Sequence, residues 1–334
     1  DSPSGVACTG SGSESRLHPG ERLLPPYPFV ALCPRPFPLP SPMPRYRLTI
    51  AYDGAEFHGW QKQEPPDPDA PADAETGERP RLKLRTVQEV VERAVREVVR
   101  EPVQLQGASR TDSGVHARAQ CGAFTTTGDA SDGRGWPAER GTLPLLRAIN
   151  SRLPQDVLIA DVELTHDRFD PIKEAEAKGY SYTIHASPHR ALWSRRTTFH
   201  SWHALDPERM AEAAKHLVGE HDFAALAAAN HGRLTTVRTI YGCSVTATPP
   251  EDPVERDRAG GDFEPVHIRI DVNGNGFLYN MVRILAGTLM EVGRGKIEPG
   301  DLPEILKSKD RRRAGPTLPP EGLCLEWIRY REHP

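Results

Sequence analysis

The sequence has little cysteine, with five in 334 residues. They are scattered, and no two form a CxxC pair: Cys8, Cys33, Cys121, Cys243 and Cys324. This excludes a disulfide framework and the usual cysteine zinc sites. Two histidine pairs, His185 with His189 and His200 with His203, have spacings that a metal could use, but no further ligand lies beside them in the sequence. We therefore predict no metal site.

Long apolar segments are also missing. No run of eighteen apolar residues exists, and the first residues lack the basic and apolar segments of a signal peptide. These absences exclude a membrane span and predict a cytoplasmic protein. A length of 334 residues favours two domains of ordinary size.

The net charge of −4 is unevenly distributed. Residues 64–78 carry six acids and no base, and residues 251–264 carry six acids against two arginines. Both stretches are rich in proline, glycine and acids, which is typical of solvated loops. The rest of the chain is therefore basic, by about six charges, and is compatible with binding phosphates.

Residues 1–43 are dominated by Pro, Ser and Gly and are predicted to be a disordered tail. From Tyr46 onward the pattern predicts β-α-β-β-α-β twice, over an N-terminal domain at 44–165 and a C-terminal domain at 166–332. Thr86 and Glu89 are predicted to cap the first helix as a capping box. A later helix is predicted to start at Asp206 and to end at Gly219. The predicted fold class is α+β, two ferredoxin-like antiparallel-sheet domains with a cleft between them.

The segment GASRTDSGVHA, residues 107–117, is dense in polar side chains and has almost nothing apolar to bury. One interpretation is a surface turn in which Asp112 hydrogen-bonds its own backbone. The other is a functional loop, since Arg110 and His116 add a cation and an imidazole beside the carboxyl group, and reactive side chains concentrate in loops.

A catalytic carboxylate that stays ionised needs a nearby cation to hold its pKa down. Arg283 lies in the apolar stretch FLYNMVRILAGTLM, where a guanidinium is either snorkelling to solvent or paired. The strand KGYSYTI places Tyr180 and Tyr182 on one face, where they are either core aromatics or a stacking surface for a base.

Six segments of the sequence, in this order, resemble the tRNA pseudouridine synthase A family. They are YDGAEFHGWQKQ (52–63), TVQEVVERA (86–94), GASRTDSGVHA (107–117), KGYSYTI (178–184), NGNGFLYNMVRILAGTLMEVG (273–293) and PEGLCLEW (320–327). The RTDxGVHA element is highly specific, and the others gain weight from their order. The resemblance covers about residues 46–330.

The resemblance implies a cofactor-free isomerase that converts uridine to pseudouridine in the anticodon arm of tRNA, with nucleotides 38–40 as the expected targets of a chain carrying these motifs. It also implies a homodimer with RNA lying across both subunits. By the same likeness Asp112 is the catalytic aspartate, and Arg110 holds the target nucleotide out of the helix. Tyr180 is the active-site tyrosine and Arg283 the partner of the aspartate. Thr111 and His116 are expected to contact the substrate.

The sequence departs from the family pattern at three places. An acidic, proline-rich insertion occupies 64–85, Ser109 stands where glycine is common, and a few extra residues precede Tyr180. The last change leaves Tyr182 open as the active-site tyrosine. Two alternative functions are a non-catalytic RNA-binding protein on the same duplicated fold and a nucleoside glycosidase. The glycosidase requires a second carboxylate, and Asp112 is the only acid between residues 107 and 128.

Overall fold

The computed structural model describes residues 43–73, 76–228, 234–256 and 262–331. The predicted tail, apart from Met43, lies outside the described residues. The strands are β1 (Arg45–Tyr52), β2 (Gln106–Gly107), β3 (His116–Thr125), β4 (Val157–Thr165), β5 (Ala175–Ala186), β6 (Phe199–Ser201), β7 (Gly219–Asp222), β8 (Val237–Thr248), β9 (Val266–Gly274) and β10 (Leu323–Tyr330). The α-helices are α1 (Val87–Val99), α2 (Thr142–Asn150), α3 (Pro207–Lys215), α4 (Pro253–Arg256), α5 (Met281–Gly293) and α6 (Leu302–Ser308).

The ten strands found in the described residues belong to one sheet, in the order β4-β1-β3-β10-β5-β9-β8-β7, with β2 beside β3 and β6 beside β5. Every pairing is antiparallel except β10 with β3 and β6 with β5. The parallel join is short, because only Cys324 with His116 and Leu325 with Ala117 are in register there. The α+β class is confirmed as a mixed fold around a large, mainly antiparallel sheet. The join brings the start of β3 next to β10, whose other neighbour is β5.

Alternating side chains of β1 are buried, from Tyr46 to Tyr52, as a period of two requires when one face of a strand meets the core. Helix α1 buries an apolar face made of Val87, Val90, Val91, Ala94, Val95 and Val99. Helix α5 is buried on nearly every side. Among the described residues, no helix combines the length and apolarity needed to cross a membrane.

The predicted capping box of α1 is wrong. Thr86 occupies the N-cap position, but its side chain makes no capping hydrogen bond, and its hydroxyl is buried without a partner. Glu89 forms an ion pair with Lys83 at 3.1 Å instead. Because the Thr86 hydroxyl faces the core and Glu89 has a cation within reach, the reciprocal pair does not form.

The predicted start of α3 is confirmed, and its predicted end is wrong. The Asp206 carboxylate accepts a hydrogen bond from the backbone N–H of Arg209 at 2.9 Å. The helix ends at Lys215, where the next amides, at His216 and Leu217, each bond three residues back. Gly219 has a φ of 115° and opens β7. The tightened final turn leaves this glycine to start a strand rather than to cap the helix.

The described part of the acidic insertion, 64–73 and 76–85, has no buried residue. Its only strand-like contact among these residues is an isolated bridge between Pro66 and Arg81. The segment is therefore a solvated loop, as its composition predicts.

Candidate active site

The loop that carries Asp112 connects β2 to β3 and is fixed by the segment that follows β1. The backbone N–H of Trp60 donates to the carbonyl of Thr111 at 3.0 Å. Gly59 has a φ of 89°, and a Cβ there would lie 2.7 Å from the same carbonyl. Only glycine fits this close approach without strain. The GW pair of the YDGAEFHGWQKQ segment thus holds the Asp112 loop in place.

Arg283, in the first turn of α5, faces this loop. Its Nη1 lies 3.7 Å from Oδ2 of Asp112, and among the described residues it is the only cation within ion-pair distance of that carboxylate. Arg283 Nε donates to the carbonyl of Leu318 at 2.6 Å, and Nη1 donates to Oδ1 of Asn280 at 2.9 Å. The Asp112 side chain is 33% exposed and that of Arg283 is 16% exposed. An anchored guanidinium therefore stands beside a carboxylate that solvent or substrate can reach.

Burial raises the pKa of Asp112 above its ordinary value, and the charge of Arg283 offsets only part of that rise. The expectation that its cation would hold this pKa below the usual range is therefore wrong. The physical reason is the balance of two effects: desolvation penalises the charged form, and the contact with Arg283 is long because the guanidinium is shared with Asn280 and Leu318. A carboxylate with a raised pKa is a stronger base, which suits proton transfer and attack on carbon.

The two tyrosines of β5 make different contacts. The Tyr180 hydroxyl lies 3.0 Å from the Ser109 hydroxyl, and its ring meets Phe277 edge to face at 5.1 Å. The Tyr182 hydroxyl donates to the carbonyl of Pro319 at 2.7 Å. Burial raises the pKa of Tyr180 to about 12, so its phenol stays protonated. Of the two, Tyr180 is hydrogen-bonded to the loop that carries Asp112.

Arg110 and Thr111, the two residues before Asp112, lie in contrasting environments. Thr111 is buried, and its hydroxyl is 2.7 Å from that of Tyr52. Arg110 is exposed and borders a groove of about 750 Å³. Arg45, Lys62 and Arg96 border the same groove. Thr111 therefore braces the loop, and Arg110 faces an open basic surface.

His116 is not brought to the Tyr180 side of the sheet. Its ring is buried, and Nδ1 accepts a hydrogen bond from the backbone N–H of Gly54 at 3.0 Å. Burial lowers the pKa of this imidazole, which keeps it neutral at pH 7. It borders a separate cavity of about 630 Å³ together with Ser181 and Thr183. Those two residues point away from Tyr180, since successive side chains of a strand alternate between faces.

Sequence reasoning missed several groups that organise the site. Gln120 is fully buried and clasps Ser109, accepting from its N–H at 3.2 Å and donating to its carbonyl at 2.7 Å. Lys178 Nζ donates to the carbonyl of Ala108 at 2.8 Å. Asn280 had a readable signal, because its spacing of three from Arg283 puts both on one helix face. Gln120 had only a weak one, a long polar side chain within the otherwise apolar stretch AQCGAF of β3.

Comparison with known proteins identifies the family of the chain. A family model described as tRNA pseudouridine synthase matches residues 213–331. The chain is 37% identical over 288 residues to tRNA pseudouridine synthase A of Acetivibrio thermocellus, which covers 86% of this chain and all of that protein. It is 39% identical over 292 residues to the protein of the same name from Geotalea uraniireducens, covering 86% of this chain and all of the relative. The corresponding protein of Thermoanaerobacter sp. strain X514 is 38% identical over 283 residues, or 85% of this chain and 98% of the relative. With identity at this level over nearly the whole length of its relatives, the chain belongs to the tRNA pseudouridine synthase A family.

Proposed function

We propose that this chain isomerises uridine to pseudouridine in the anticodon arm of tRNA, at nucleotides 38–40, with Asp112 as the catalytic carboxylate. Family membership supports the reaction class. The observation that carries the assignment of the residue is the partly exposed Asp112 carboxylate 3.7 Å from the anchored guanidinium of Arg283. No other residue of the RTDSGVHA segment combines a carboxylate with access to solvent.

The chemistry requires a carboxylate at the ribose of the target uridine. Asp112 either attacks the anomeric carbon, displacing uracil, or removes the 2′ proton so that a glycal forms; both routes break the N-glycosidic bond and end with the base joined through carbon. Arg283 favours the ionised carboxylate against the effect of burial. The detached uracil has to turn within the pocket, and the ring of Tyr180 offers it a stacking surface while the surrounding groups exclude water.

The groove beside Arg110 suits the phosphates of the RNA. Four cations border it, and the one acid among its lining residues, Glu92, is paired with Lys62 and Arg96. Among the described residues, Arg110 has no hydrogen-bond or ion-pair partner, which leaves its guanidinium free to support a nucleotide rotated out of the stack. Affinity from such contacts falls steeply with added salt.

Two ferredoxin-like domains, 44–165 and 166–332, are part of the proposal. The first half has the strand order β4-β1-β3-β2, and the second half has the order β10-β5-β9-β8 once β6 and β7 are set aside. In both halves the strands then lie in the order fourth, first, third and second along the chain, which supports a duplication. Asp112 comes from the first half and Arg283 and Tyr180 from the second. A homodimer with RNA across both subunits, and a cytoplasmic location, complete the proposal.

Unmodified tRNA transcripts incubated with the full chain test this function. Pseudouridine is mapped by position for the wild type, for Asp112→Asn, and for Asp161→Asn, a control at an exposed position of β4. We expect modification at nucleotides 38–40 with the wild type and the control. With Asp112→Asn we expect a loss of at least about 10³-fold in rate, or about 4 kcal/mol of barrier, while tRNA binding stays within about tenfold. Binding without modification by the wild type would favour the non-catalytic RNA-binding alternative, and turnover by Asp112→Asn would remove the assigned role.

A further inference from the structure

The face of β5 opposite Tyr180 carries a cluster that the proposed reaction does not use. His185 of β5 pairs directly with His267 of β9, and their rings lie 4.9 Å apart, edge to face. Glu255 of α4 joins them from outside the sheet. One ring nitrogen of each histidine and one oxygen of Glu255 lie within 4.8 Å of one another. Residues from β5, β9 and α4 thus place three potential metal-binding atoms close together.

The nitrogens of the cluster are short of partners. His185 is 1% exposed and its Nδ1 is buried without a hydrogen bond, and Nε2 of His267 is in the same state. Leaving buried polar atoms unsatisfied costs free energy, so two such atoms beside one carboxylate point to a missing ligand. Burial lowers the pKa of His185 to about 4 and also lowers that of His267. Both imidazoles are therefore neutral at pH 7, the form in which histidine binds a metal.

Hydrogen bonds from residues 192–194 fix the carboxylate of Glu255. Its Oε1 accepts backbone N–H groups of Leu192, Trp193 and Ser194 at 2.7, 2.8 and 3.2 Å, and its Oε2 accepts the Ser194 hydroxyl at 2.9 Å. A carboxylate has about four lone-pair sites, so Oε2 retains capacity for one more partner. Hydrogen bonds of this kind orient metal ligands and raise their affinity.

We propose that His185, Glu255 and His267 bind a divalent transition-metal ion, Zn²⁺ above all, which ties α4 and the 192–194 segment to β5 and β9. Two histidines and one carboxylate form a donor set that zinc accepts, with water in the fourth position. Glu255 and His267 border the cavity of about 630 Å³, which supplies that water. Glu251 and Asp252 border it too and make it attractive to a cation. Donor atoms in a tetrahedral zinc site are about 3.4 Å apart, so closure from the present spacing needs side-chain shifts of about 1 Å.

The role of the ion is structural. Strand alternation puts His185 on the opposite face of β5 from Tyr180, since the two differ by an odd number of positions. The ion is thus separated from Asp112 by the sheet, and the proposal stands independently of the isomerase function.

Zinc binding by tag-free, full-length protein tests the site. The chain is treated with a chelator, exposed to Zn²⁺ and gel-filtered, and bound zinc is counted by mass spectrometry. The variants are His185→Gln, His267→Gln and Glu255→Gln, and His203→Gln, at an exposed position, is the matched control. We expect one equivalent for the wild type and the control, and affinity lower by about 100-fold or more in each site variant, since losing even an outer-sphere partner costs about 10- to 100-fold.

Two further readouts separate binding from folding. Zn²⁺ at a hundredfold over Kd should raise the Tm of the wild type by about 5 °C and leave the Tm of His267→Gln unchanged. Co²⁺ in place of Zn²⁺ should give the visible absorption of a tetrahedral nitrogen and oxygen site. Should His185→Gln fail to fold, the half-buried His267→Gln carries the test, with circular dichroism as the check on its fold. Substoichiometric zinc in the wild type, or equal affinity in wild type and His267→Gln, overturns the proposal.

Discussion

The two faces of β5 carry two polar groups of opposite character. On one face Tyr180 leads to the Asp112 site, a carboxylate partly open to solvent with one cation at 3.7 Å. On the other face lies the histidine cluster of His185, Glu255 and His267, where the imidazoles are neutral and lack hydrogen-bond partners at two nitrogens. The same sheet therefore supports one site built around a charge and another built around neutral lone pairs.

One physical cause acts on both sites with opposite sign. Burial disfavours the charged form, so it raises the pKa of Asp112 and lowers that of His185. The carboxylate becomes more basic, and the imidazole loses its proton. Each change makes a lone pair more available, to carbon or a proton in the first case and to a metal ion in the second. Desolvation thus acts on both proposed sites, with opposite effects on the pKa of an acid and of a base.

The charge of Arg283 offsets part of the rise that burial causes in the pKa of Asp112. Among variants that keep the Asp112 carboxylate, removing this charge should lower activity most. Arg283→Met leaves the carboxylate without its cation and raises its pKa further, so the acidic limb of the activity profile moves to higher pH. We also expect kcat at neutral pH to fall about 10²-fold. Arg283→Lys is the control, because it keeps the charge and should restore the position of the limb. A pH profile of Arg283→Met identical to that of the wild type would show that the pair does not act.

Arg110 tests whether the open side of the Asp112 site meets RNA. Arg110→Ala should lower kcat/KM by about tenfold or more and reduce the salt slope of tRNA binding by about one unit. Arg134→Ala, an exposed arginine near Asp132, is the matched control and should leave the slope as it is. Equal slopes for both variants and the wild type would place the phosphates elsewhere.

Tyr180 and Tyr182 share one face of β5 and allow a finer test of which of the two rings contacts the substrate. Tyr182→Phe loses the bond to the carbonyl of Pro319 and should destabilise the fold by about 1 kcal/mol without changing kcat. Tyr180→Phe should instead change the kinetic constants, because its hydroxyl contacts the Asp112 loop through Ser109. Denaturant unfolding and steady-state kinetics on both variants separate the two effects. The reverse pattern would make Tyr182 the active-site tyrosine.

The smallest expected effect is on stability at Asp112. Because its pKa is raised in the folded state, the folded chain binds the proton more tightly, and the contribution of this group to stability falls as pH rises through that pKa. Asp112→Asn removes this cost, while Arg283 keeps its bonds to Leu318 and Asn280. We expect the Tm of the variant to exceed that of the wild type by on the order of 1 °C at neutral pH, with a smaller gap in acid. A gap that shrinks with rising pH would mean that burial does not dominate at this carboxyl group.

Much of the fold was readable because local patterns decide it. The alternation in β1, the apolar face of α1 and the Asp206 cap are properties of short segments, and the start of α3 at Asp206 formed as predicted. The capping box at Thr86 and the end of α3 were wrong for the complementary reason. The burial of the Thr86 hydroxyl comes from tertiary packing and leaves no local trace, and Lys83, six residues before Glu89, competes for the carboxylate of Glu89.

The candidate sites divide in the same way. Local sequence patterns were enough to place Asp112 in a polar, glycine-flanked loop, Tyr180 on a strand and Arg283 in an apolar helix. The contacts of Arg283 with Asp112, of Gln120 with Ser109, and of His185 with His267 and Glu255 became visible in the folded chain alone. Those contacts depend on strand register and on the short β3–β10 join, which bring together residues far apart along the chain. The sign of the pKa shift at Asp112 was decided there too, because desolvation depends on how closely the whole fold packs around one carboxyl group.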